Sequence, residues 1–221
     1  MKKIMFNDKF NLTTAVLAGT KTQTRRIINA MPKDPKIAYG LEDEAGYVHL
    51  LDGYTVVAKS RFKIGEVVAV AQSYFDIKTS ANSYRPPFWK GYKDWHKYLE
   101  SLPTNGGGCY NKMFVRAELM PHQIEITNIR VDRLQDISDE DCLAEGILKE
   151  HVRLEYDEPQ DTVLYSFQNS NKLKPMPKTS LAGYFDIPKT AYAALIDAIS
   201  GKGTWERNPW IFVYNFQLIK K

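Results

Sequence analysis

The chain has 221 residues, 43% hydrophobic, 25% charged and 12% aromatic, a balance that excludes an intrinsically disordered chain. Its net charge of +4 permits an anionic partner without demanding one. No stretch approaches the ~18 consecutive apolar residues of a membrane span, and the N-terminus turns polar too early for a signal peptide. At ~150 residues per domain, the length fits one large domain or two small ones. Two cysteines, Cys109 and Cys142, cannot staple a chain of this size, so reduced thiols and a cytoplasmic location are expected.

The first predicted element is a helix over 9–18, with Phe10, Thr14 and Leu17 on one face and Gly19 as its stop. Residues 20–26 read as a polar, cationic turn, and 31–35, with two prolines, as a loop. Segments 47–51 and 54–58 flank Asp52-Gly53, a hairpin signal. Residues 65–71 read as a short buried strand. Residues 75–110 look like an insertion: Arg85-Pro86-Pro87 breaks structure, 90–102 is expected to be helical, and Asn105-Gly106-Gly107-Gly108 to be a flexible loop. Residues 113–117 and 123–134 are predicted strands. Ser138 and the acids after it begin a helix over 138–145 that stops at Gly146.

Residues 150–183 read as irregular. Asp186-Ile187-Pro188 then opens a helix whose stripe is Tyr192, Leu195, Ile196 and Ile199, ending at Gly201. Residues 210–219 form a closing strand, with Trp210, Phe212, Tyr214 and Phe216 on the face expected to be buried. Strands and short helices without a βαβ rhythm predict an α+β fold with a small, mostly antiparallel barrel or curled sheet.

Several signatures are absent. The four histidines, His49, His96, His122 and His151, are far apart, and there is no paired-cysteine spacing, so no metal site is expected. No glycine-rich phosphate loop and no G-x-S-x-G elbow occurs, and no cofactor is expected.

The densest local feature is 20–26, with Lys21, Arg25 and Arg26 among Thr20, Thr22 and Thr24. Arginine offers a bidentate fork for phosphate, lysine a point charge and threonine a hydroxyl, so one reading is an anion or nucleotide pocket. The other is a solvated loop paired with acidic neighbours. A second basic and aromatic segment, 84–98, reads either as a stacking platform for unpaired bases or as a satellite core. The helical spacing of Tyr92, Trp95, Leu99 and Leu102 favours the core.

The phrase Leu-Ala-Gly-Thr-Lys-Thr-Gln-Thr-Arg-Arg at 17–26 resembles the signature turn of the ASCH family, the activating-signal-cointegrator homology domains. The likeness continues at 63–70, 124–147 and 205–214, which are similar to the larger ASCH proteins of phages and mobile elements. The resemblance implies a single PUA-like domain over 1–221: a small β-barrel with helices packed at one end and insertions near 31–60, 75–110 and 148–185. It implies a cleft lined by the signature turn and binding RNA or a modified nucleotide, with Arg25 and Arg26 meeting the anion. Some compact members are amidohydrolases that deacylate N4-acylated cytidines, and on that pattern the catalytic residues are Lys21, Thr24 and Glu145. Where phage-type relatives end a strand in an arginine–acid pair, this chain has Val70-Ala71-Gln72-Ser73, which offers Gln72 and Ser73 as neutral hydrogen-bonding replacements. A third expectation is a protein-interaction module that docks through the insertions.

The chemistry of the three residues is consistent on its own terms. Threonine needs a base to take its proton, and lysine can be that base if its pKa falls from ~10.4 toward ~7–8. Glu145 would orient the lysine or shuttle a proton. Its other reading is an ordinary acid at the exposed end of a helix.

Overall fold

The two segments richest in β-branched and aromatic residues, Gln123–Arg133 and Trp210–Leu218, pair antiparallel along their lengths and make the centre of the molecule. The structure is a computed structural model and describes residues 1–29, 39–42, 47–50, 56–79, 92–154, 160–167 and 183–219. In chain order its elements are β1 (Lys3–Ile4), α1 (Leu12–Leu17), β2 (Gln23–Ile27), β3 (Tyr39–Glu42), β4 (Tyr47–Leu50), β5 (Val56–Lys59), β6 (Val67–Val70), α2 (Tyr74–Thr79), α3 (Tyr92–Ser101), β7 (Gln123–Arg133), α4 (Asp139–Ala144), β8 (Leu148–Leu154), β9 (Gln160–Ser166), α5 (Pro188–Ser200), α6 (Thr204–Arg207) and β10 (Trp210–Leu218).

The main sheet has the order β1-β6-β7-β10-β2, with β1 parallel to β6 and the other pairs antiparallel. Its edges, β1 and β2, do not pair with each other among the described residues. Strands β3-β4-β5 form a second sheet and β8-β9 a third. The fold is α+β. Among the described residues, no helix is long and apolar enough to cross a membrane.

Strand β10 departs from the expected single buried face. Ile211 and Val213 are fully buried, and so, nearly, are Phe212 and Tyr214. Tyr214 packs edge-on against Phe62, while Ile211 shares a cavity wall with Tyr192 and Leu195 of α5, so both faces of the strand are covered. A second core gathers Tyr74, Ile77, Trp95, Leu102, Val115 and Met120. Trp95 of α3 and Leu102 just after it therefore point into protein, as their spacing predicts; residues 84–91 of that segment lie outside the described residues.

Other expectations need correction. The first helix is broken at Asn11 (φ +52°) into a 3-10 turn at Asp8–Phe10 and α1. The cationic turn is largely strand β2, because β10 offers a continuous row of backbone partners from Asn215, opposite Gln23, to Ile211, opposite Ile27. Residues 113–117 are not a strand. They lie in 3-10 turns, Lys112–Phe114 and Ala117–Leu119, where the Asn111 side chain accepts from Met113 N at 2.9 Å and Lys3 Nζ donates to Val115 O at 2.8 Å. The glycine loop is not loose. Gly108 is buried, and a Cβ there would lie 2.6 Å from Tyr74 Cε2. The region 150–183 contains the β8–β9 hairpin, and 168–182 lies outside the described residues. Strands β4 and β5 pair as the hairpin signal predicts, while Asp52-Gly53 and the proline loop at 31–35 lie outside the described residues.

The segment after α1 and the residue closing α4 pack together. Thr22 N donates to Ala144 O at 3.0 Å, and Gly146 lies so close to Leu12 that a Cβ would come within 3.2 Å of its Cδ2.

Candidate functional site

The site begins with the two ends of α4. Ser138 caps its N-terminus, its hydroxyl accepting from Asp141 N at 3.1 Å, and Asp139, Glu140 and Asp141 fill the positively polarised first turn. Gly146, at φ +103°, ends the helix in a conformation that favours glycine. The reversal holds Glu145 beside the segment entering β2, where it is 5% exposed. The exposed-acid reading of Glu145 is therefore wrong.

Strand alternation sorts the cationic segment. Gln23 and Arg25 share one face of β2, with Lys21 just before it on the same side, while Thr24 and Arg26 take the other. The first group meets α4. Lys21 Nζ donates to Glu145 Oε2 at 2.6 Å and to the Glu145 main-chain oxygen at 2.7 Å. Arg25 Nη1 donates to Glu145 Oε1 at 3.2 Å and Nη2 to Asp141 Oδ2 at 2.7 Å, and Gln23 Nε2 donates to Asp141 Oδ1 at 2.9 Å. Arg130 of β7 joins through Asp141 and through Asp132 at 2.7 Å. Three cations and three carboxylates thus close on themselves.

Burial pulls the Lys21 ammonium below its ordinary value, and the Glu145 carboxylate resists that pull. At Arg25, burial also opposes the charge, but Glu145, Tyr192 and Asp141 together hold the guanidinium above its ordinary range. Burial and the nearby Glu145 push the Tyr192 phenol well above 10.0. Burial pushes the Cys142 thiol, on α4, up to about 12, so it is not a nucleophile at neutral pH.

A cavity of about 310 Å³ opens beside this network, lined by Lys21, Thr24, Arg25, Arg26, Glu145 and Tyr192, with Leu195 and Ile211 on its apolar side. Two buried polar atoms in its wall residues, Arg25 Nε and Tyr192 Oη, have no hydrogen-bond partner among the described residues. The Arg25 guanidinium carbon lies 5.8 Å from the Tyr192 ring centre. No protein-family model, curated protein or solved structure matches the chain.

The structure brings Lys21, Thr24 and Glu145 to one cavity but not into one hydrogen-bonded triad. Lys21 and Glu145 are in direct contact, whereas Thr24 bonds to neither, because the segment is a strand and not the helical turn that would align positions three apart. Arg25 is buried and committed to carboxylates, while Arg26 is exposed and donates to Met5 O at 2.6 Å. Gln72 and Ser73 are elsewhere. Ser73 Oγ accepts from Asp76 N at 3.0 Å at the start of α2, and Gln72 lines a separate cavity with Thr13 and Asp76. Tyr192, Asp141 and Arg130 are additions that sequence reading missed. Tyr192 sat in an apolar helix stripe and Asp141 in a capping run, and neither position signals a site. Among the described residues, no group of three or more His, Cys, Asp or Glu side chains could hold a metal ion.

Proposed function

We propose that this chain is a PUA-like domain of the ASCH type that binds RNA or a modified nucleotide in the cavity between β2, α4 and α5. The motif order supports this reading, and so does the α+β architecture in which the segment entering β2 packs against the end of α4. The observation that carries it is that two residues lining the cavity, Arg25 and Tyr192, each hold a buried polar atom, Nε and Oη, with no hydrogen-bond partner among the described residues. Buried polar groups are almost always satisfied, and the edge of a nucleobase supplies partners to both. The test is calorimetric titration of the full chain with a panel of nucleosides and nucleotides, using the wild type and Tyr192→Phe. The wild type binds at least one member, and the variant binds it about 2–12-fold more weakly, the worth of one neutral hydrogen bond. If no member of the panel binds, the proposal fails.

A second reading, amidohydrolysis of N4-acylated cytidines, is favoured by the lowered Lys21 pKa beside Glu145 with Thr24 in the same wall. In that reaction Thr24 Oγ1 attacks the amide carbon, its proton passing through a water to Lys21. The exocyclic amine leaves with a proton, and water hydrolyses the acyl-threonine ester to acid and free enzyme. Turnover of N4-acetylcytidine to cytidine and acetate by the wild type, lost in Thr24→Val, supports it. A wild type that binds without turnover refutes it and leaves the binding proposal standing.

A further inference from the structure

The cavity at Lys21 does not end at Arg26. Met5, Arg26, Ile27 and Asn29 also line a second cleft, of about 450 Å³, on the other side of the β2 edge. Arg26, Lys59 and Arg61 are its polar rim, and Phe62, Phe212 and Tyr214 are its floor. Among the described residues, no carboxylate lines it.

The contrast with the first cavity is in how the cations are used. Both terminal nitrogens of Arg25 are paired with carboxylates, Nη2 with Asp141 and Nη1 with Glu145. Arg26 and Arg61 are both exposed, and each guanidinium donates to a main-chain carbonyl: Arg26 Nη2 to Met5 O at 2.6 Å, and Arg61 Nη2 to Lys3 O at 3.4 Å. Burial disfavours the charge on Arg26, Glu145 supports it, and Arg61 works against it as a like charge lining the same cleft. Two like charges beside an apolar floor cost free energy that a shared anion would recover. The floor is already fixed in place. Tyr214 Oη shares a hydrogen bond with Ser60 Oγ at 3.0 Å and accepts from Arg61 N at 3.3 Å, which ties the rim to β10.

We infer that the second cleft is a phosphate-ester subsite in which Arg26 and Arg61 grip the phosphate of a ligand whose base lies in the Lys21–Glu145 cavity. Arginine forks match phosphate oxygens two at a time, and the shared wall at Arg26 sets base and phosphate on either side of one side chain. The inference rests on the nucleotide-binding proposal and narrows it: the ligand is phosphorylated, either as a free nucleotide or as a strand.

The experiment titrates the full chain and its Arg61→Gln variant with three probes, cytidine, cytidine 5′-monophosphate and a single-stranded cytidine hexanucleotide. The wild type binds the monophosphate about tenfold or more tightly than the nucleoside, the worth of a charge-assisted hydrogen bond. In Arg61→Gln the ratio of the two affinities collapses toward one. A hexanucleotide that gains further over the monophosphate, with a salt slope that Arg61→Gln lowers by about 0.7, identifies a strand as the source; no further gain identifies the free nucleotide. Equal affinity of wild type for nucleoside and monophosphate overturns the phosphate subsite and spares the proposed function. An unchanged ratio in Arg61→Gln overturns the subsite as well. If none of the three probes binds, the subsite falls, and the proposed function is decided by the wider panel of nucleosides and nucleotides.

Discussion

Glu145 answers two buried cations, so neutralising it leaves Lys21 without a charged partner and Arg25 with Asp141 alone. The side chains of Lys21 and Glu145 are 1% and 7% exposed, and Arg25 adds a second contact at 3.2 Å. Removing one partner of a buried pair costs about 3–5 kcal/mol, because the charge left behind stays desolvated. Glu145→Gln keeps the shape and removes the charge. At roughly 2–4 °C per kcal/mol for a chain of this size, its melting temperature falls by roughly 6–20 °C. Lys21→Met is milder. It leaves Glu145 paired with Arg25 and removes an ammonium that burial already disfavours, so its cost stays below about 2 kcal/mol. Urea unfolding followed by tryptophan fluorescence measures both variants and the double variant. The coupling between the two positions falls within about 0.5–3 kcal/mol. Glu145→Gln costing less than about 1 kcal/mol, or less than Lys21→Met, would refute the reasoning, because the pair would then behave as a solvated one.

Gly146→Ala forces a side chain into a backbone at φ +103° and places Cβ 3.2 Å from Leu12 Cδ2, so a loss of more than about 1 kcal/mol is expected in the same unfolding assay. Asp141 sets a pH limb. Burial would raise its carboxyl pKa, but the hydrogen bond from Gln23 and the Arg25 and Arg130 charges hold it below its ordinary 3.8. A depressed folded-state pKa gives stability that is present above 3.8 and is lost as pH falls through the folded-state value. Asp141→Asn, measured by unfolding at a series of acidic pH values, therefore shows a shallower acid loss than wild type, and an identical slope would contradict the network.

The elements that sequence reading located were those whose patterns are local. Ser138 before an acidic run, Pro188 opening a helix, and the apolar alternations of β7 and β10 each report on a few neighbouring residues, and each found its place. The strand β2 was hidden because polar residues fill both its faces. Gln23 and Arg25 are buried by α4, which no feature of 20–26 encodes, so charge looked like exposure. The hairpin β8–β9 was passed over as irregular although Thr162, Val163, Leu164 and Tyr165 are good strand formers, because polar stretches diluted the pattern. At the site, Lys21 and Glu145 were named correctly as neighbours. Thr24 does not join them in a hydrogen bond, because 23–27 is a strand and successive positions of a strand face opposite sides.

The place of β10 in the sheet has a consequence for how the chain leaves the ribosome. Among the described residues, β2 is held in the main sheet by β10 alone, and those partners are separated by most of the polypeptide. While synthesis proceeds, Gln23 to Ile27 therefore have no strand to dock on, and the main-chain groups and arginines of that segment wait in solvent until residue 218 has emerged. The pocket waits for β10: a nascent chain halted before residue 210 lacks the strand that seats β2, and with it the wall that carries Thr24, Arg25 and Arg26.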